Sequence, residues 1–145
     1  MKPVLEIAAV REGVAPRAAL GSAVFCLAFA LFQAALAAGA PLGRMAWGGS
    51  ADVLAPPMRA ASAGAAVYLL LAGAAMLARS GVWGRSLPRA PLFAFNLFLA
   101  VQLALNTAAN LASRSELERY VMGGASTLGV LFTAGALIPR RRRGP

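Results

Sequence analysis

Four stretches of this chain, residues 17–38, 57–78, 91–112 and 120–138, are almost free of charged side chains. Each has the length of about 20 residues that an α-helix needs to cross the hydrocarbon core of a bilayer. The alternation of a membrane β-strand is absent from them, and small residues are abundant. Helices are therefore the only backbone form that satisfies its own polar groups in lipid here. Over 145 residues, 59% are hydrophobic and 13% charged, too few charges to clothe a soluble surface of this size. The expected fold is an all-α membrane protein, a four-transmembrane-helix bundle in a single domain over residues 1–145. Pro57 and Pro91 fall in first helical turns, where a missing N–H costs nothing, and Pro139 ends the last span.

The basic residues set an expected orientation. The N-terminal segment has Lys2, Arg11 and Arg17, the second connection has Arg79, Arg85 and Arg89, and the tail closes on Arg140 to Arg143. The first connection has Arg44 and Arg59, and the third has Arg114 and Arg119, partly offset by Asp52, Glu116 and Glu118. The positive-inside rule then puts both termini in the cytoplasm, in a multi-pass protein of a bacterial inner membrane. The net charge of +9 belongs to membrane ends, where it also meets anionic headgroups. No aromatic–basic surface pattern accompanies it, so nucleic acid is not an expected partner. Lys2, Arg11 and Arg17 before an apolar run ending Ala35-Leu36-Ala37 have the outline of a cleavable signal. That run is longer than a signal core, and it reads as the first span.

The chain lacks histidine and has one cysteine, Cys26. Histidine-ligated haem, the commonest metal ligand and dithiol chemistry are excluded. No cofactor and no metal site are expected.

Polar residues inside the spans carry the remaining information. Gln33 and Asn106 each lie roughly 8–9 Å below the outer boundary, at 1.5 Å per residue. Ser62 and Ser126 or Thr127 fall at a similar level on the second and fourth spans. On the third span Gln102, Asn106, Asn110 and Ser113 are spaced by helical turns and share one face. A carboxamide stripe facing lipid would lack partners, so the stripe is expected to face the bundle interior. Two readings stay open: amides that join helices, at about 0.6–2 kcal/mol each, or the lining of a polar cavity open to the outside. Asn96 lies off this stripe, with no role assigned.

The first connection, "GAPLGRMAWGGS", has Gly39, Gly43, Gly48 and Gly49 for turns, and Trp47 suited to the headgroup layer with its N–H wet. It is expected either to fold across the bundle mouth as a lid or to be an ordinary loop with an interfacial anchor. Arg44 and Arg59 are on the same side and have Asp52, Glu116 and Glu118 as possible partners. In "SRSELERY", Ser115 and Glu118 have capping-box spacing, which makes Ser115 the expected start of the fourth helix. Ala61, Gly64, Ala65, Tyr68 and Gly73, with Ala125, Gly129 and Gly135, are expected to let helices approach closely.

The segments "LAAGAPLGRMAWGG", "VLAPPMRAAS" and "LNTAANLASRSELERYVM" together resemble a family of small bacterial four-span membrane proteins. That family has a Gly-Ala-Pro-Leu-Gly…Trp/Phe-Gly-Gly loop and an Asn…Asn-x-x-Ser…Glu-Arg stretch. The resemblance covers Phe32 to Met122 and implies a fold without implying a chemistry. It directs attention to Gln33, Trp47, Arg59, Asn106, Asn110, Glu118 and Arg119.

Three functions compete. The first is binding or passage of a small or lipid-like ligand in a polar outward-facing pocket of Gln33, Trp47, Arg59, Gln102, Asn106, Asn110, Glu118 and Arg119. With no charge at midplane, a proton-coupled pump is disfavoured. The second is an accessory subunit, with a membrane protein or a second copy as partner; its sign would be a small-residue face lacking internal partners. The third is an enzyme, in which acid–base work would fall on Glu118 with Arg119 or Arg59.

Overall fold

The computed structural model describes residues 2–83 and 86–138, with backbone alone over residues 2–15. It has four α-helices: α1 (Lys2–Ala38), α2 (Pro56–Ser80), α3 (Arg89–Leu111) and α4 (Gly123–Leu137). A π-helical turn, Glu118–Met122, leads into α4. The segments Pro16–Ala38, Pro56–Ser80, Arg89–Leu111 and Glu118–Leu137 are each long and apolar enough to cross a membrane. Expected spans and observed helices agree within one helical turn. Helix α1 extends further than its span, continuing back through Pro16 to Lys2.

Helix α1 packs on α2 and α4, and α3 packs on α4 and α2, so the order round the bundle is α1–α2–α3–α4. The α1–α2 contact is the most extensive of these and α2–α3 the least. One end of the bundle holds the α1–α2 and α3–α4 connections and is termed the capped end below. The other, the termini end, holds the α2–α3 connection and the outer ends of α1 and α4.

Small residues set the helix spacing. A Cβ on Gly73 of α2 would lie 3.2 Å from Cys26 Cβ and 3.5 Å from the Ala23 carbonyl of α1. Between α1 and α4, rings rest on glycines in both directions. A Cβ on Gly21 would meet Phe132 at 2.7 Å, and one on Gly129 would meet Phe25 at 2.5 Å. Beside these rings the fully buried hydroxyls of Ser22 and Thr133 share a hydrogen bond of 2.8 Å. Each hydroxyl thereby gains a partner that lipid cannot supply. Gly64 behaves differently from the expectation of close packing: a Cβ there would meet nothing within 4 Å.

At the termini end, arginines occupy helix C-termini, whose last carbonyls have no intrahelical donor. Arg79 donates from Nη1 to the Ala136 carbonyl and from Nη2 to that of Leu137 (3.0 Å), tying α2 to α4. Its guanidinium also lies 5.4 Å from the Phe93 ring centroid. Arg89 donates to the carbonyls of Ala78 (3.3 Å) and Arg79 (2.9 Å). Asn96, unassigned in the sequence, is fully buried and donates to the Ala75 carbonyl of α2 at 3.4 Å. Pro139, Arg140 to Arg143 and Arg85 lie outside the described residues, as do the side chains of Lys2 and Arg11.

Cys26 is the sole thiol of the chain and is fully buried, so its reactivity reports opening of the α1–α2 interface. Gly73→Val forces extra atoms into that interface, an overpacking cost of about 1–3 kcal/mol. Thermal melts followed by thiol-reactive dye should show Gly73→Val exposing Cys26 well below the wild-type temperature. Gly64→Val, into open space, should melt close to wild type.

Candidate functional site

The first connection is a folded cap. Helix α1 ends at Gly39, whose φ of +93° lies in the left-handed region. The Gly39 N–H returns to the Leu36 carbonyl and the Ala40 N–H to that of Ala35, each at 3.0 Å. Arg59 of α2 donates from Nε to the Ala37 carbonyl at 2.9 Å. Its guanidinium lies against Gly39, where a Cβ would come within 3.2 Å of Cζ. The expected pairing of Arg59 with a carboxylate is thus not made: Arg59 serves the C-terminus of α1. A 3₁₀ turn, Gly43–Met45, follows, and the Gly43 N–H donates to the Asp52 carbonyl at 2.8 Å. Leu36, Ala46 and Leu54 form a second small core beneath the loop, with Phe32 and Leu42 against it.

Three side chains, those of Trp47, Ser115 and Glu118, fasten this loop to α2 and to the segment leading into α4. Trp47 Nε1 donates to Ser62 Oγ of α2 at 3.0 Å. The N–H expected to stay wet is instead bonded to a fully buried hydroxyl. Trp47 also has a φ of +56°, a costly conformation for a bulky residue that persists only where its surroundings hold it. The Gly48 N–H donates to Glu118 Oε1 at 3.2 Å, and Ser115 Oγ donates to the Arg44 carbonyl at 2.7 Å. The cap therefore runs from the α1–α2 corner across to the π-helical turn. Of the two readings of this stretch, the fold-back is the one observed.

Glu118 is the centre of the attachment. It is 6% exposed, and its other oxygen, Oε2, accepts from Ser113 Oγ at 2.5 Å. Ser113 Oγ in turn accepts from the Ser115 N–H at 3.1 Å. The expected capping box is half formed: Ser115 Oγ accepts from the Glu118 N–H at 3.4 Å. The Glu118 carboxylate does not return to Ser115, because Gly48 and Ser113 occupy it. Arg119 donates from Nε to the Ser113 carbonyl at 3.1 Å and lies 5.7 Å from the Tyr120 ring centroid. Arg44 pairs with Asp52 at 2.5 Å on the exposed rim. The hydrogen bond to Asp52, then its charge, hold the Arg44 pKa above its ordinary value.

Below the cap, the polar residues separate among several partners. Asn110 Nδ2 donates to Ser126 Oγ of α4 at 3.4 Å. Ser126 and Thr127 donate to the Gly123 carbonyl at 3.2 and 2.7 Å. Gln33 Oε1 is buried with no hydrogen-bond partner. Gln102 is half-buried. Asn106 is the exception to the expected inward stripe: it is exposed, although Gln102, Leu103 and Asn110, each one turn away on the same face, are buried or half-buried.

Tyr68 of α2 packs edge-on to Phe95 and Phe98 of α3, with centroids 6.0 and 6.4 Å apart. Towards the capped end the same face of α2 continues as Ala65, Gly64 and Ala61. Ala61 and Gly64 are exposed, and Gly64 opens onto empty space. The Tyr68 hydroxyl is buried without a hydrogen-bond partner, and α2–α3 is the least extensive of the four helix contacts.

The residues named from the sequence therefore divide among different parts of the structure. Trp47, Arg59, Glu118 and Arg119 build the cap; below it Gln102 is half-buried and Asn106 exposed on α3; Asn110 bonds to α4 and Gln33 is buried on α1. Sequence reasoning missed Ser113 and the Gly48 N–H as partners of Glu118. It also missed Ser22 and Thr133, whose signal was available as lone hydroxyls inside apolar spans. Among the described residues no group of three or more acidic or thiol side chains converges that a metal could join. No family model, curated protein or solved structure matches the chain.

Removing the Glu118 carboxylate leaves the Gly48 N–H and Ser113 hydroxyl without their acceptor, at about 1–3 kcal/mol. In Glu118→Ala, amide exchange over residues 43–49 should accelerate by roughly tenfold or more. Asp52→Asn, which breaks only an exposed pair, should leave that exchange at the wild-type rate.

Proposed function

We propose that the chain is a binding protein for an amphipathic, lipid-like ligand that enters sideways between α2 and α3. The carrying observation is Asn106, a carboxamide within an apolar helix that is exposed while Gln102, Leu103 and Asn110 around it are buried or half-buried. In hydrocarbon an amide without a partner is unfavourable by several kcal/mol. A ligand with a hydroxyl, amide or ester group at this depth would meet both its donor and its acceptor. Gln102 sits one turn deeper on α3, and on this reading the exposed Ala61 and Gly64 of α2 form the opposite wall of a cleft between the two helices. The pinned cap supports lateral rather than axial entry, since Trp47 and Glu118 hold it across the bundle mouth.

On this reading the capped end faces outward and both termini are cytoplasmic, in a bacterial inner membrane. Support comes from the basic residues: Arg79 and Arg89 sit at the termini end, and the sequence adds Arg85 and Arg140 to Arg143 there. The resemblance to small bacterial four-span proteins agrees with that placement.

The cleft also supports a second reading. Ala61 and Gly64 form the exposed small-residue face to which a transmembrane helix of a partner protein, or of a second copy, could pack. That is the accessory-subunit hypothesis, and one experiment separates the two.

A photoreactive amino acid placed at Ala61 and activated in native membranes labels whatever occupies the cleft. The ligand reading expects an adduct of lipid size, reduced about tenfold by Asn106→Leu, a loss of ~1.4 kcal/mol. A polypeptide adduct insensitive to Asn106→Leu would transfer the function to the subunit reading.

A further inference from the structure

A second opening lies on the opposite flank, between α1 and α4, and it has a different character. It is a groove of about 520 Å³, walled by Leu20, Val24, Phe25, Leu128 and Phe132, with Arg17 at its end. Its origin is the ring-on-glycine packing. Phe132 rests over Gly21 and Phe25 over Gly129, so the helices meet along their rings and leave a furrow towards lipid.

The groove's length and its single charge specify an occupant. Along α1 it runs from Arg17 to Ala28, about 17 Å at 1.5 Å per residue. That is close to half of the ~30 Å hydrocarbon core, the depth of one leaflet. Its wall is otherwise apolar. Arg17 is exposed, and no acidic side chain among the described residues pairs with it. The position of Arg17, at the start of the apolar segment Pro16–Ala38, is the level at which a lipid phosphate lies. An arginine there offers a fork of donors to phosphate oxygens.

We infer that the α1–α4 groove holds one acyl chain of an anionic phospholipid whose phosphate is bound by Arg17. This site is separate from the α2–α3 cleft. It takes a lipid from the leaflet on the termini side, whereas the cleft opens near the capped end. Its occupant covers the apolar furrow beside the Phe25 and Phe132 rings.

The test is native mass spectrometry of the full chain in detergent with phosphatidylglycerol and phosphatidylcholine of identical chains, supplied in equal amounts. The wild type should retain one tightly held lipid and prefer phosphatidylglycerol about tenfold, which corresponds to ~1.4 kcal/mol. Arg17→Gln should equalise the two lipids while retaining the adduct. Ala28→Phe, which fills the groove and keeps Arg17, should lose both. Protection of Cys26 from thiol reagents verifies that each variant is folded. Phosphatidylglycerol preference that survives Arg17→Gln would overturn the assignment, as would retention unchanged by Ala28→Phe. So would a lipid-free dimer that Ala28→Phe separates, since the groove would then be an interface between copies.

Discussion

The buried carboxylate of Glu118 is the constraint on which the capped end depends. A carboxylate this enclosed must have donors for both oxygens, and here they come from different parts of the chain, Gly48 and Ser113. Satisfying Glu118 therefore requires the first connection to reach across to the start of the fourth span. The π-helical turn at Glu118–Met122 belongs to the same requirement, since such turns re-aim side chains that a regular helix would direct elsewhere. Once the loop is drawn over, Trp47 finds Ser62, and the positive φ of Trp47 is held by that bond. The result is a bundle closed along its axis at this end, whose openings lie between helices.

The two ends solve the same problem with the same chemistry. A helix that stops at a membrane boundary leaves carbonyls or N–H groups without intrahelical partners. Arg59 serves the C-terminus of α1, while Arg79 and Arg89 serve those of α4 and α2. Each is a cation at the negative end of a helix dipole, and each joins its own helix to another segment. Charges that the positive-inside rule counts only by side are here also structural ties. Reading them as topology signals alone undercounts what they do.

Much of the fold was legible because hydrocarbon permits so few backbone solutions. Runs of apolar residues gave the four helices and their limits, and Pro57, Pro91 and Gly39 marked ends by local backbone chemistry. The site was less legible. Residue spacing put Gln33, Asn106, Ser62 and Ser126 or Thr127 at a similar level, whereas the structure sets Ser126 beside Asn110, one turn from Asn106. Azimuth could not be read from spacing, because it depends on how each neighbour's bulk sets the crossing of two helices. Asn106 shows this: it shares a helical face with Gln102 and Asn110, yet it is exposed where they are half-buried, so the expected inward stripe does not extend to it. Gly73 and Gly64 make the same point on one helix. They look alike in sequence, but α1 presses on the first and nothing meets the second. Glu118 was recognisable as a first-turn residue. Its acceptance from Gly48, seventy residues away, is a tertiary event that no local spacing encodes.

The groove between α1 and α4 lies beside packed rings. At Gly73, α1 and α2 close on one another through small residues. Aromatic rings enter two of the other interfaces. Tyr68 meets Phe95 and Phe98 between α2 and α3, and Phe25 and Phe132 rest on Gly129 and Gly21 between α1 and α4. A soluble protein could not keep such a groove, because water would meet apolar walls and the helices would collapse together. In a bilayer that penalty is absent, since lipid chains are as apolar as the side chains they replace. A carboxamide at Asn106 and a guanidinium at Arg17 have no equivalent in hydrocarbon, and on the readings proposed above each would select what stays beside it.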